Sequence, residues 1–283
     1  MKIWKIFTSG RSKISILTKI RAFFVRDLYE ELSYPLSFTW RVGSIFFKLV
    51  TFYFLGRLLA GALLPELSPY GGQYFPFVLL GLALASFQGV ALTAVSNRIL
   101  YGMYTGTLEA MLVTPTPLAV IIFASVLYQF FLALLEILIY LGFGVGLFGF
   151  SLGSANLAAT AVFLVLALLS QLPLGILSAA FVLVFKKDDP VTVILGHLSA
   201  LLGGVYFPLK VLPGWVATLS QFIPFTHALE GLRQAVLNGQ GLTQLGTQAI
   251  ILCAFAVALF PLSLAFFAWA VRQAKRLGTL SQF

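Results

Sequence analysis

The sequence predicts an all-α membrane protein with six transmembrane helices, an N-terminal amphipathic interfacial helix and a re-entrant helical element before the last span. Composition is the first reason. Of 283 residues, 60% are hydrophobic and only 10% charged, where soluble domains carry about 25% charged residues. Mean hydropathy is +0.99, so most of the surface has to face lipid. The second reason is that apolar runs recur at the roughly 20-residue length that crosses a bilayer. The third is that the cations gather in alternate connections and at the ends, which fixes an orientation.

Residues 1–34 are polar enough to stay out of the bilayer core and form one unit; residues 35–283 form the membrane domain. From Ile14 to Leu32, Ile16, Leu17, Ile20, Phe23, Phe24 and Leu28 recur at helical spacing, with Lys13, Lys19, Arg21 and Arg26 between them. That pattern suits a helix lying in the membrane interface, or a soluble helix on a partner. Pro35 ends or turns it. No small-residue cleavage site follows the basic N-terminus, so the first span is expected to remain as an anchor.

The spans are expected at about Val42–Ala62, Phe75–Val95, Leu118–Phe148, Leu157–Phe185 with a kink near Pro173, Val191–Tyr206, and Ala249–Val271. The segment from Phe207 to Asn238 is apolar but broken by Pro208, Pro213, Gly214 and Pro224. Trp215 to Ile223 makes only about 13 Å of helix at 1.5 Å per residue, too short for a ~30 Å core. It reads as a pair of short helices that dips in and returns. Charge supports that count. With both ends inside, the inner side holds Lys2, Lys5, Arg11, Lys13, Lys19, Arg21, Arg26, Arg98, Lys186, Lys187, Arg272, Lys275 and Arg276. The outer side holds only Lys210 and Arg233, as the positive-inside rule requires.

The net charge of +9 is therefore a topology signal rather than a nucleic-acid footprint. Cys253 is the one cysteine, so no internal disulfide forms, and His197 and His227 are too far apart to read as a metal cluster. Arg41, Ser44 and Lys48 share a face of the first span. They either anchor the helix by reaching toward the headgroups or line a cavity for an anionic substrate or lipid. Glu136 sits within the third span, where a lone carboxylate needs protein or water around it, as a structural partner or a proton relay. His227, Glu230 and Arg233 follow at spacings of three and form a polar helix face linked by ion pairs, or an acid–base set.

No G-x-x-x-x-G-K-[ST] phosphate cradle occurs, nor any Gly-Lys pair. A pump of this kind draws its energy from an ion gradient or from another protein. The connection after the second span, from Asn97 to Tyr104 and on through "TGTLEAMLVTPTPL", is a short cytoplasmic helix candidate. Thr107 or Thr105 caps it, Glu109 favours its first turn and Pro115 ends it. The plain alternative is an interfacial connector.

"GTLEAMLVTPTPL" at 106–118 resembles the first cytoplasmic loop of ABC-2 type permeases, and "GGVYFPLKVLPGWVATLSQFIPFTHALEGLR" at 203–233 resembles their late signature. The resemblance implies a permease of a bacterial or archaeal-type cytoplasmic (inner) membrane that binds no cofactor itself. ATP and Mg would be bound by two partner ABC ATPase subunits. A second permease subunit, in the simplest case an identical one, would complete the path. Arg98, Thr105, Thr107, Glu109, Thr114 and Pro115 would form the ATPase-coupling loop, and the N-terminal helix would connect to the ATPase. Arg41, Ser44, Lys48, Glu136 and His197 are the substrate-path candidates. Phe207, Pro208, Pro213, Trp215, Pro224, His227, Glu230 and Arg233 would form the outer re-entrant gate. The implied activity is export of an amphipathic drug-like, lipid-like or glycoconjugate molecule. An ion-driven carrier and a membrane-embedded enzyme using Glu136, His197 or His227 are the alternatives.

Overall fold

The computed structural model describes residues 16–60, 65–106, 118–185 and 189–276, and these hold helices and no strand. Helix α1 is Ile16–Leu32 and α2 is Pro35–Leu59. A 3-10 turn at Pro65–Tyr70 precedes α3, Tyr74–Tyr104. Then come α4, Leu118–Phe148, α5, Leu157–Phe185, and α6, Pro190–Leu202. A second 3-10 turn at Leu209–Val211 leads to α7, Gly214–Ser220, α8, Pro224–Leu237, and α9, Gly246–Arg276. Prolines open α2, α6 and α8 at the first helical position, where a missing N–H costs nothing.

Among the described residues, α2, α3, α4, α5 and α9 are long and apolar enough to cross a membrane, which makes five where the sequence suggests six. The expected fifth span is the 13-residue α6, about 20 Å at 1.5 Å per residue. It stops at Gly203, where a Cβ would overlap the Phe225 ring, and Gly204 turns the chain with a φ of 79°. Composition alone does not reveal this stop, because Val205 and Tyr206 continue the apolar run beyond it.

Two other boundaries differ from the expected ones. Helix α2 starts at Pro35, a turn and more before the apolar run. Helix α3 continues to Tyr104, so Asn97 and Arg98 belong to the helix and not to the loop. No proline falls between Ser96 and Tyr104, and Gly102 is carried within the buried helix, so the chain first turns at Gly106 with a φ of 65°. Thr105 is accordingly the C-cap of α3, its hydroxyl donating to the Tyr101 carbonyl at 2.7 Å, and not the N-cap of a following helix. Thr107, Glu109, Thr114 and Pro115 lie outside the described residues.

Helix α3 is the axis of the bundle: it is mostly buried, whereas α2 and α9 are mostly exposed. It packs on α4, α5 and α2, while α9 lies along α5. Small residues permit the approach, as is usual where helices meet without water to drive them. A Cβ at Gly175 would collide with the Ala91 carbonyl, and one at Gly231 with the Phe163 ring. Helix α1 lays Phe24 edge-on against Tyr128 and Phe131 of α4, at centroid distances of 5.4 and 5.6 Å. The segment before α9 is the pair of short helices that its prolines imply. The division falls at Ser220, with Ile223 capping α8 rather than ending α7. Helix α8 is no surface loop: Phe225, Ala228, Leu229 and Ala235 are fully buried.

Candidate functional site

Three polar clusters interrupt this apolar bundle, and each is fastened to α3. The first joins α2, α3 and α4. Glu136 is 8% exposed. Its Oε1 accepts from Arg41 Nη1 at 3.1 Å, and its Oε2 accepts from the Ser86 hydroxyl. Arg41 also reaches Glu31 of α1, at 3.4 Å. A buried carboxylate thus has both a counter-ion and a hydrogen-bond donor, which is what its burial demands. The other substrate-path candidates do not join it. Ser44 donates to the Arg41 carbonyl at 2.8 Å, and Lys48 and His197 are exposed on α2 and α6. Glu136 and His197 therefore form no convergent acid–base set.

Beside this cluster, α1, α3 and α4 line an open cavity of about 500 Å³. Asp27, Glu31 and Tyr34 line it from the N-terminal side, Arg98 and Tyr101 from the end of α3, and Tyr128 from α4. Arg98 is thus half-buried on the wall of this open cavity, 5.8 Å from the centroid of the Tyr101 ring, and belongs to α3 rather than to a loop.

The second cluster lies at the other end of α3. Arg233 of α8 is 3% exposed. Its Nε and Nη2 donate to the Phe77 carbonyl at 3.1 and 2.9 Å, Nη1 donates to the Gly204 carbonyl at 2.9 Å, and Nη2 also donates to Val205 at 3.1 Å. The guanidinium sits 3.4 Å from the centroid of the Phe77 ring. Gly81 makes room: a Cβ there would stand 2.6 Å from the Val205 carbonyl and 2.8 Å from Nη2. Glu230 turns to a different partner, accepting from the Tyr70 hydroxyl at 2.7 Å and from Gln234 at 2.9 Å. Burial, and then the Glu230 carboxylate, push the Tyr70 phenol far above its usual range, so it stays a donor. Asn238 donates to the Pro69 carbonyl at 2.7 Å, completing the clasp on the first 3-10 turn.

His227 takes the Gln221 carbonyl at 2.8 Å. The expected ion pairs among His227, Glu230 and Arg233 are therefore not made. A step of three residues turns a helix by about 300° rather than a full circle, enough to send Glu230 to the 3-10 turn and Arg233 into the bundle. Of the remaining gate candidates, Pro208 and Pro213 precede the 3-10 turn and α7, Pro224 opens α8, Phe207 is half-buried and Trp215 is 71% exposed.

The third cluster is not among the candidates from sequence. Asp189 caps α6 by accepting from the Thr192 N–H at 3.0 Å and from its hydroxyl at 2.5 Å, and it also accepts from Ser178 of α5. Partial burial raises the Asp189 pKa, but the hydrogen bonds from Ser178, Thr192 and Ser96 outweigh it and leave the carboxyl below its ordinary value. The signal was present as Asp-Pro ahead of an apolar run, a helix-start pattern. Among the described residues, no group of three His, Cys, Asp or Glu side chains gathers to hold a metal.

Comparison with known proteins places these features in a context. Residues 62–265 match the family described as ABC-2 family transporter protein. The chain is also 29% identical, over 114 residues, to the linearmycin resistance permease protein LnrN of Bacillus subtilis (strain 168). That match takes in 40% of this chain and 29% of LnrN, so the shared region is less than a third of that relative's length.

Proposed function

This chain belongs to the ABC-2 family of transporter proteins, and from that premise we propose that it is the permease subunit of an ATP-driven exporter of an inner membrane. The observation that carries the reading is the extent of the family match. It includes both the 106–118 loop and the 203–233 segment, in a chain without a phosphate cradle of its own. ATP and Mg then belong to two separate cytoplasmic ATPase subunits. The loop around Thr107 and Glu109 seats in them, and α1 connects to them as well.

Six crossings with both ends inside remain the topology we favour. Thr192 at the start of α6 reaches the Leu92 carbonyl of α3 at 3.5 Å, and Val205 just past its end meets Arg233 beside Phe77. Leu92 and Phe77 are fifteen residues apart on α3, or about 22 Å. The short helix therefore carries the chain most of the way back along α3, and α7 and α8 form the re-entrant outer gate. A second permease copy seats against the exposed Ile194, His197, Leu198 and Leu201 of α6, which recur at one helix face. The substrate is an amphipathic drug-like, lipid-like or glycoconjugate molecule; a relative named for resistance to linearmycin favours the drug-like end of that range. An embedded enzyme is disfavoured by Glu136, whose oxygens are committed to Arg41 and Ser86.

The test is co-purification and ATP-driven transport in proteoliposomes with a separately encoded P-loop ATPase. Glu109→Lys is expected to lose ATPase capture or to uncouple hydrolysis from transport. Normal ATP-driven transport by that variant overturns the coupling-loop assignment.

A further inference from the structure

A groove of about 500 Å³ runs along α9, walled by Phe123 and Val126 of α4, Leu172 and Ile176 of α5, and Phe260 and Leu264 of α9 itself. Its remaining lining is apolar except at one end, where Arg272 closes it. Phe123 and Leu264 are 57% and 53% exposed, so the groove opens sideways to the surroundings of the bundle. Arg272 is exposed, and among the described residues no carboxylate pairs with it. Arg276 stands one helical turn further on, also exposed.

We propose that this groove is a binding site for one anionic phospholipid, with an acyl chain along α9 and the phosphate on Arg272. The length fits. Phe260 to Arg272 is twelve residues, or about 18 Å, slightly more than half of the ~30 Å hydrocarbon core. One acyl chain of a single leaflet fills that length and brings its headgroup to the cation. Trp269 follows Ala268 of the lining and precedes Arg272 by three residues, its ring tilted against Phe266 at 5.2 Å; a tryptophan near the end of a span is typical of the membrane interface. Charge selects the headgroup: a cation at the surface favours an anionic lipid about fivefold, and the lining holds no carboxylate to pair with the ammonium of a zwitterionic headgroup. The site stands apart from the cavity at α1 and does not depend on the transport reading.

Trp269 is the reporter. The full chain carrying W4F, W40F and W215F is reconstituted in phosphatidylcholine bilayers with brominated-chain phosphatidylglycerol or brominated-chain phosphatidylcholine at equal mole fraction, and Trp269 quenching is read. The expected association ratio is about fivefold in favour of phosphatidylglycerol. It falls to near one in R272Q and is largely kept in R272K, which retains the charge. A ratio near one in the parent chain means adventitious annular lipid only and overturns the proposal. So does an R272Q chain that keeps the preference. Arg272 is an exposed side chain near the end of a helix, so R272Q is expected to fold, and circular dichroism checks it.

Discussion

Removing either half of the Arg41–Glu136 pair should not cost the same. Arg41 Nη1 stands 3.1 Å from Glu136 Oε1, but the two side chains are 33% and 11% exposed. In Arg41→Gln the carboxylate stays buried with only the Ser86 hydroxyl to satisfy it. Breaking a buried pair from this side costs about 3–5 kcal/mol. In Glu136→Gln the guanidinium keeps Glu31 at 3.4 Å and stays about a third exposed, and the new amide oxygen still accepts from Ser86. That change should cost about 1 kcal/mol, the net worth of one hydrogen bond. The double variant leaves no buried charge and should recover most of the loss seen in Arg41→Gln. At roughly 2–4 °C per kcal/mol for a chain of this size, Arg41→Gln lowers Tm by on the order of 10 °C and Glu136→Gln by about 3 °C. The assay is thermal unfolding of the purified permease, followed by circular dichroism, for the four proteins of the cycle. Equal losses from the two single variants refute the reasoning, because they would mean that Arg41 is as deeply committed as Glu136. So does a double variant no better than Arg41→Gln.

Two further outcomes follow from the other clusters. Arg233→Met strips donors from the buried Gly204 and Val205 carbonyls, each of which costs about 1–3 kcal/mol when orphaned; removing the buried charge offsets part of this. A net loss of about 2–4 kcal/mol is expected in the same unfolding assay, with proteolysis increasing first around Leu209–Val211. Asp189 titrates below its ordinary value of 3.8 in the folded chain, so the unfolded chain binds its proton first as pH falls. The stability that Asp189 contributes is complete above about pH 4 and declines below it. Thermal scans from about pH 5 to about pH 3 should show the fall in the parent chain and a flatter profile in Asp189→Asn.

The long helices were legible because a span declares itself by apolar length alone. Their ends were not, because hydropathy marks where lipid begins and not where the backbone stops being helical. Helix α3 runs past Val95 through Asn97 and Arg98 because no proline stops it before Gly106. Helix α6 stops short inside an apolar run because Gly203 must accept the Phe225 ring and Gly204 must turn. The prolines at 208, 213 and 224 gave the short-helix pair correctly, since each removes a donor and fixes φ. Individual charged residues were legible as oddities but their partners were not. Glu136 meets Arg41 across 95 positions, and Arg233 meets Phe77 across 156. Spacing within one helix also misled: it grouped His227, Glu230 and Arg233, which tertiary contacts then divided among three destinations.

The two main polar clusters hold α3 in different ways, and the difference bears on movement. At the Phe77 end, Arg233 grips backbone carbonyls, which no side-chain rearrangement nearby can replace; the grip ends only if α8 or the 203–206 chain leaves α3. At the Ser86 end, the grip passes through Arg41, whose guanidinium is shared between Glu136 of α4 and Glu31 of α1. These acceptors belong to separate helices, so a displacement of α1 redistributes Arg41 without unfolding anything. Under the proposed docking of a cytoplasmic partner on α1, a signal has a route of three contacts to α3: Glu31 to Arg41, Arg41 to Glu136, and Glu136 to Ser86. Glu31→Gln separates this role from mere support. It leaves the Arg41–Glu136 pair intact, so Tm should move by only a degree or two. If the route is used, that same change weakens the response of transport to ATP. A Glu31→Gln protein that keeps both its Tm and its full ATP-coupled transport shows that α1 communicates elsewhere.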